Sequence, residues 1–555
     1  MQRNFTNQIN KVITNPESVG LPYTYLRSGQ LDAISWVHDQ DWLYERDDNK
    51  VKVIEAPTGT GKTGIVLTLS AMFPDQRILV LCATKLEQAQ YENNVTELYD
   101  GFVSVKGRNN FHCHLENPSA SVECSTSTCF EAHVDTARCS VYTEGGEKFK
   151  CPIRMDCAYF QQLESIKSKK IVVTNYAYGL TMLNFNSDAF GKFDIIVSDE
   201  GHVLDQMLEQ FIQVRLSSRQ IDNMYSIPLP DYEKVPQWKR WCTDHSYAID
   251  KLYHDTHNLS PKDMSKEELR LAKRSQSVKE SFDEIKEMDN AWIVENDGSK
   301  RKPKSYIEFK PVWVTEKSKE VLFDHANRHI IMSGTIPSSE ELARKVGLKT
   351  HEFEFHRLPY EFPVENRPII VNPVASMSAK YIDISLPIII DAIDQIINKN
   401  IDKKILIHTV NYKIAEALKR TSKHSRHMFT HNSRDRLKVL SQFKKASAPA
   451  ILVSPSFDKA VDLPDKECEL IIVAKLPYPY LGSKVMQARI KSENGRRYYN
   501  HETMMSLIQM FGRGVRSETD VCPTIILDSG AVQFIKTCRT QKLIPQGINE
   551  AIVGV

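Results

Sequence analysis

The run Val53-Ile54-Glu55-Ala56-Pro57-Thr58-Gly59-Thr60-Gly61-Lys62-Thr63 limits what this chain can fold into more than any other stretch. An apolar segment ends in a loop of small residues that closes on Gly-Lys-Thr. Ile65, Val66, Leu67 and Leu69 then resume at helical spacing. The pattern predicts a strand, a phosphate-binding loop and a helix. Glycines let backbone N–H groups wrap a phosphate, and the helix N-terminus adds a favourable dipole. In such a loop Lys62 reaches the β- and γ-phosphates and the Thr63 hydroxyl holds Mg2+. Thr58, Gly59, Thr60 and Gly61 form the rest of the cradle, and Ala56 stands where the general pattern has its first glycine.

Strands and helices alternate on both sides of that loop. Leu26-Arg27-Ser28-Gly29-Gln30 leads into Leu31, Ala33, Ile34, Trp36 and Val37, spaced for the buried face of a helix. Residues 77–83 read as a buried parallel strand, followed by Thr84-Lys85 and a polar helix. The pattern returns at 170–175, at 193–202 and at 330–335. Prolines 359, 363 and 368 mark a boundary, beyond which strands are expected at 404–408, 450–454, 470–474 and 524–527. This alternation predicts an α/β fold of doubly wound parallel sheets, with phosphate chemistry at the strands' carboxyl ends. A chain of 555 residues exceeds one core, so three or more domains are expected.

Charge alone selects no partner: 72 basic residues face 70 acidic ones, and a groove can be basic on a protein of net charge +2. Residues 1–20 are polar, without a signal peptide's apolar core, and no apolar run approaches the roughly 18 residues of a membrane span. A cytoplasmic protein without membrane contact is expected. Cysteine is more informative. Six of the eleven cysteines fall between Cys113 and Cys157, where apolar periodicity is lost, and this crowding points to metal or cluster ligation. Between residues 204 and 304 charges are dense and 266–288 reads as one helix, while 295–303 resembles a turn between strands. Trp238, Trp241, Leu252 and Trp292 offer core material there, so a mostly helical inserted subdomain is expected.

Two further constellations bear chemistry. Asp199-Glu200 closes an apolar strand, where one carboxylate can hold Mg2+ and its neighbour can orient or deprotonate an attacking water. Gln509-Met510-Phe511-Gly512-Arg513-Gly514-Val515-Arg516 places two arginines on one helical face, suited to a developing γ-phosphate charge.

Together these pieces resemble the superfamily 2 helicases, and within them the iron–sulfur XPD/DinG family, along nearly the whole chain. Arg27 and Gln30 fit the adenine-side motif, 56–63 motif I and Ala83-Thr84-Lys85 motif Ia. Asp199-Glu200-Gly201-His202 resembles motif II, with Gly201 in place of Ala, and Ser333-Gly334-Thr335 resembles motif III, usually Ser-Ala-Thr. Residues 405–409 look like motif IV, 454–464 with Asp462 are similar to motif V, and 509–516 fit motif VI. The residues around Asp462 depart from the family's pattern, which bears on DNA coupling.

The resemblance implies two RecA-like domains, a cysteine-rich insertion carrying a 4Fe–4S cluster and a mainly helical arch-type insertion. The expected division is 1–105, 161–204 and 305–356 for the ATP-binding domain, 106–160 for the cluster insertion, 205–304 for the arch and 357–555 for the second domain. Arg27, Gln30, Thr58, Gly59, Thr60, Gly61, Lys62, Thr63, Asp199 and Asp462 would bind ATP and Mg2+. Lys62, Asp199, Glu200, Gln509, Arg513 and Arg516 would carry catalysis. Cys113, Cys139, Cys151 and Cys157 would ligate the cluster, with Cys124 or Cys129 open as substitutes for Cys139 and a zinc site open as the alternative. The implied activity is that of a monomeric ATP-dependent DNA helicase moving 5′ to 3′ on single strands, acting on forked or tailed duplexes in repair or replication. The alternative is an ATPase that acts on RNA–DNA hybrids or displaces proteins without processive unwinding.

Overall fold

The structure, a computed structural model, describes residues 12–19, 21–38, 51–57, 59–73, 75–94, 101–107, 110–111, 140–142, 148–150, 156–185, 187–258, 266–296, 306–432, 434–456, 463–515 and 517–555. Cys113, Cys124, Cys129, Cys139 and Cys151 lie outside the described residues, as do Thr58, Asp462 and Arg516.

The apolar runs become the centres of two parallel sheets, each of seven strands. In the first, the order is Phe353–Arg357, Val51–Glu55, Arg328–Ser333, Ile195–Asp199, Ile78–Cys82, Ile171–Asn175 and Phe102–Ser104. In the second it is Met428–Thr430, Ala450–Ser454, Lys404–His408, Leu470–Val473, Thr524–Asp528, Ile369–Ala375 and Ile552–Val553. All registers within both sheets are parallel. Strands such as Ile78–Cys82 and Lys404–His408 are buried at every position because helices cover both faces, which is why their sequences are apolar without alternation. These are the two doubly wound, RecA-like units that the sequence predicts.

The second insertion is a subdomain with its own core. Helices Val235–His257 and Lys266–Glu287 run antiparallel, since Thr256 meets Ser275 at 2.8 Å while Asp250 meets Lys279 at 3.0 Å. Trp238 packs edge-on against Trp241 and Phe309, with Phe282 beside them. Trp292 packs against this core half-buried, whereas Leu252 stays outside it. The insertion also carries strands. Tyr306–Pro311, expected to begin the return to the first domain, pairs antiparallel with Val214–Ser217 and Trp292–Asn296 instead. Its burial alternates residue by residue, the signature of a strand with one face on a core. Within the cysteine-rich region, Ser140–Tyr142 pairs antiparallel with Lys148–Lys150.

Close packing explains one departure from the family's pattern. Gly201 follows directly on the Ile195–Asp199 strand, and a Cβ there would lie 2.2 Å from Cγ2 of the fully buried Ile331. At Gly334 a Cβ would meet Ala56 O at 3.6 Å and Lys62 Nζ at 3.8 Å, which is ordinary contact. Gly201→Ala is therefore expected to lower stability by about 1–3 kcal/mol in denaturant unfolding, while Gly334→Ala leaves it nearly unchanged. In an Ile331→Ala background the Gly201→Ala penalty should vanish, because the clashing methyl is gone.

Candidate nucleotide site between the two domains

The phosphate loop begins where the Val51–Glu55 strand ends and Ala56 N donates to Ser333 O at 2.8 Å, tying the loop to the Ser333-Gly334-Thr335 turn. Gly59 and Gly61 take φ of 94° and 81°, a left-handed backbone that side chains other than hydrogen rarely adopt. The Thr60 hydroxyl donates to Pro57 O at 2.7 Å, so it braces the loop from inside. Helix Lys62–Met72 then starts at the loop's mouth. Arg27 and Gln30 grip the loop from the side. Gln30 Oε1 accepts from Arg27 N at 2.9 Å and its Nε2 donates to Gly61 O at 3.0 Å, while the Arg27 guanidinium donates to Gly59 O.

Opposite the loop, Asp199 ends its strand buried and Glu200 takes a φ of 49°, so the chain turns at once into Gly201–Val203. This turn brings both carboxylates to Lys62. The Lys62 ammonium pairs with Glu200 and lies 3.8 Å from Asp199 Oδ1. Asp199 is held by Tyr91 OH at 2.9 Å and by Glu200 N at 2.8 Å. Burial pushes the Asp199 carboxyl up, with Lys62 opposing it. Burial acts on Glu200 in the same sense, but Lys62 and His202 outweigh it and hold its carboxyl well below the usual range. Burial would lower the Lys62 pKa, yet Glu200 and Asp199 outweigh it and raise it.

His202 carries this polar chain across to the second domain. Its Nε2 lies 2.5 Å from Gln509 Nε2, and its Nδ1 lies 3.2 Å from Glu200 Oε2 and 2.9 Å from Ser333 Oγ. Gln509 lies in the last turn of helix Gly495–Phe511. The helix stops at Gly512, so Arg513 sits in the turn beyond it and not on the helical face that the sequence predicts for it. Arg513 O accepts from Leu463 N at 3.1 Å, and burial together with the Arg513 charge pushes His408 down to about 3.

Lys62, Thr63, Asp199, Glu200, Gln509 and Arg513 line one cavity of about 760 Å³ between the domains, a volume suited to a nucleotide. Mg2+ ordinarily takes one or two carboxylates together with substrate phosphates, and Asp199 and Glu200 supply that donor set here. Glu87, Tyr91 and Phe362 also line the cavity without having been singled out from sequence. Burial and the Glu200 charge push Glu87 up to about 7. Thr84-x-x-Glu87 is a readable capping box, closed by Thr84 N to Glu87 Oε2 at 2.9 Å and Glu87 N to Thr84 Oγ1 at 3.2 Å, but nothing in it announces a cleft. Phe362 belongs to the linker between domains and lies against Gly59, where a Cβ would be 2.3 Å from its ring. Of the cysteines expected to bind metal, Cys157 alone is described, half-buried before helix Ala158–Ile166. Among the described residues no cluster of His, Cys, Asp and Glu suits a resident metal ion, and no helix is long and apolar enough to cross a membrane.

Comparison with known proteins agrees with this geometry. The helicase C-terminal domain family matches residues 395–550, and the family described as type III restriction enzyme, res subunit, matches 23–228. The ATP-dependent DNA helicase YoaA of Haemophilus influenzae is 22% identical over 86% of this chain and 88% of its own length. YoaA of Escherichia coli is 25% identical, but over 30% of this chain and 32% of that protein. A probable ATP-dependent helicase of Methanocaldococcus jannaschii is 22% identical over 90% of this chain and 92% of its own. Among solved structures, an XPD helicase superimposes with a TM-score of 0.60 at 15% identity, covering 94% of this chain and 99% of the other. S. tokodaii Xpd4 gives 0.56 at 16% identity, covering 95% and 99%. With two parallel-sheet domains closing on one phosphate-loop cleft, the matches to the helicase C-terminal domain family, to YoaA and to the XPD fold together support a superfamily 2 helicase of the XPD/DinG type.

Proposed function

We propose that the protein is an ATP-dependent DNA helicase that hydrolyses ATP between its two RecA-like domains and translocates on single-stranded DNA. The observation that carries this reading is the single cleft in which Lys62, Asp199 and Glu200 of one domain face Gln509 and Arg513 of the other. Mg2+ bound beside Asp199 would supply charge neutralisation at the β- and γ-phosphates. The chain's own residues do the rest. Phosphate arriving in the loop draws Lys62 away from Glu200. Glu200, no longer neutralised by that cation, becomes more basic and accepts the proton of the attacking water. His202 keeps Glu200 oriented and links it to Gln509, and Arg513 reaches the γ-phosphate from the second domain as charge develops. Opening and closing of the cleft would then change the grip on DNA.

Similarity to the ATP-dependent DNA helicase YoaA supports DNA as the substrate, and the 5′ to 3′ direction is the one that the resemblance of the sequence motifs implies. Lys62→Ala is expected to abolish DNA-stimulated ATP hydrolysis, losing at least about a thousandfold in kcat, with melting temperature unchanged within a few degrees. Hydrolysis retained in that variant would refute the site. On tailed and forked duplexes the wild-type protein should unwind those with a 5′ single strand. Preference for an RNA–DNA hybrid, or hydrolysis without strand separation, would replace unwinding by the narrower ATPase reading.

The crowding of cysteines between Cys113 and Cys157 and the resemblance of the flanking motifs support a 4Fe–4S cluster on Cys113, Cys139, Cys151 and Cys157, with Cys124 or Cys129 able to replace Cys139. Thiolates are donors for either iron–sulfur or zinc centres. Anaerobically purified protein should be brown and contain about four iron and four labile sulfide per chain. A colourless protein with stoichiometric zinc would overturn the cluster.

A further inference from the structure

Three polar ties cross the domain interface along one line. The segment after Glu200 presents His202, Asp205 and Glu209. The second domain presents Gln509, Glu502 and Arg489. Gln509 meets His202 at 2.5 Å, and Arg489 meets Glu209 at 2.5 Å. The middle pair are two carboxylates, Asp205 and Glu502, which repel each other unless a cation stands between them. Lys345 stands there, its Nζ 3.0 Å from Asp205 Oδ1 and 2.8 Å from Glu502 Oε1.

The Lys345 side chain is 0% exposed, with Asp205 at 3% and Glu502 at 11%, making this the most enclosed ion cluster on that line. Burial would lower the Lys345 pKa, but Asp205 and Glu502 outweigh it and raise it. Burial would raise Glu502, but Lys345 and His501 hold it down. Lys345 and Glu502 therefore stay charged. A buried ion triad adds little net stability over apolar packing of the same volume, yet it fails sharply when one member is withdrawn. It specifies an orientation more than it strengthens an interface.

Each member sits on an element that leads to the cleft. Asp205 lies on helix Leu204–Ile212, directly after the Asp199-Glu200-Gly201-His202 turn. Lys345 lies on helix Ser339–Val346, just past Gly334-Thr335. Glu502 lies on helix Gly495–Phe511, two turns before Gln509 and on the same face. Arg497 Nε to Glu341 Oε1 at 3.0 Å and the edge contact of Trp313 with Tyr498 at 5.0 Å brace the same joint at its margin.

We propose that Lys345 is a positioning residue: by bridging Asp205 and Glu502 it fixes helix Gly495–Phe511 against the first domain so that Gln509 and Arg513 face the nucleotide. This rests on the reading of the cleft as an ATPase site. Lys345 itself touches neither the cavity nor the phosphate loop, so its loss acts on the rate of hydrolysis and not on nucleotide binding.

Glu502→Ala tests this with the least disturbance, because Lys345 keeps Asp205 as its neutralising partner. Steady-state hydrolysis of ATP with single-stranded DNA, equilibrium ATP binding and thermal melting are measured together. The expected result is a kcat lower by about tenfold to a hundredfold, with ATP affinity within about threefold. Glu502→Gln, which keeps an acceptor for Lys345, should recover most of the rate. Glu502→Ala added to Gln509→Ala/Arg513→Ala should cost little more than that double variant alone, since Glu502 acts through those two groups. An unchanged kcat in Glu502→Ala, or losses that multiply in full, overturns the proposal. If Glu502→Ala does not fold, the charge-free Asp205→Asn/Lys345→Met/Glu502→Gln variant, which keeps the packing, must show the same loss of kcat at unchanged affinity. A wild-type protein without Lys62-dependent hydrolysis would sink the reading of the cleft and this inference with it. Hydrolysis lost in Lys62→Ala but intact in Glu502→Ala would sink this inference alone.

Discussion

A lysine ammonium cannot stay in an enclosed cleft without a compensating charge, and the architecture of this protein follows from how Lys62 obtains one. Its neutralising carboxylate, Glu200, projects from a left-handed turn at the end of the Ile195–Asp199 strand. The parallel sheet places that strand two positions from the one carrying the phosphate loop, with Arg328–Ser333 between them. The pairing keeps the carboxylate ionised and the ammonium protonated. On the proposed mechanism it also allows a partner exchange, in which a phosphate that captures Lys62 would free the base beside it. Binding and activation of the base are then one event, driven by charge and not by a separate conformational signal.

The same logic repeats at the joint between domains. His202 links Glu200 to Gln509, and alongside it Lys345 is enclosed between Asp205 and Glu502. Both links require the second domain to sit at one angle, because hydrogen bonds and buried ion pairs tolerate little displacement. Apolar contact alone would permit sliding. A motor that must present Arg513 to the nucleotide in one state and withdraw it in another gains from an interface that is specific and only moderately strong.

Much of this was legible from residues alone, and for a physical reason. Strands buried on both faces must be apolar throughout, so Lys404–His408 and Ala450–Ser454 can be delimited to the residue. Lys62, Asp199, Glu200, Gln509 and Arg513 could be named because phosphate chemistry demands those groups after particular strand and loop patterns. Edge strands escaped. Phe353–Arg357 mixes charge with aromatics, and Ile552–Val553 is too short to show a period. The helix carrying Gln509 was read as continuing to Arg516, whereas Gly512 ends it. The turn between strands at 295–303 was legible, and Trp292–Asn296 and Tyr306–Pro311 flank it, but the third strand, Val214–Ser217, is too short to show a period. Glu87, Tyr91 and the Lys345 triad gave no local signal, because each owes its environment to residues far away in the chain.

The central claim is that one ATPase site is assembled from both domains and works by moving Lys62 from Glu200 to phosphate. A crystal structure with ADP, magnesium and aluminium fluoride tests it most directly. The account predicts Lys62 Nζ within hydrogen-bond distance of a β-phosphate oxygen and a fluorine of the aluminium fluoride, Glu200 released from Lys62 and facing the attacking water, and the Arg513 guanidinium on the γ-phosphate mimic. A nucleotide bound in the loop with Lys62 still paired to Glu200, or with Arg513 turned away from the fluoride, would contradict it.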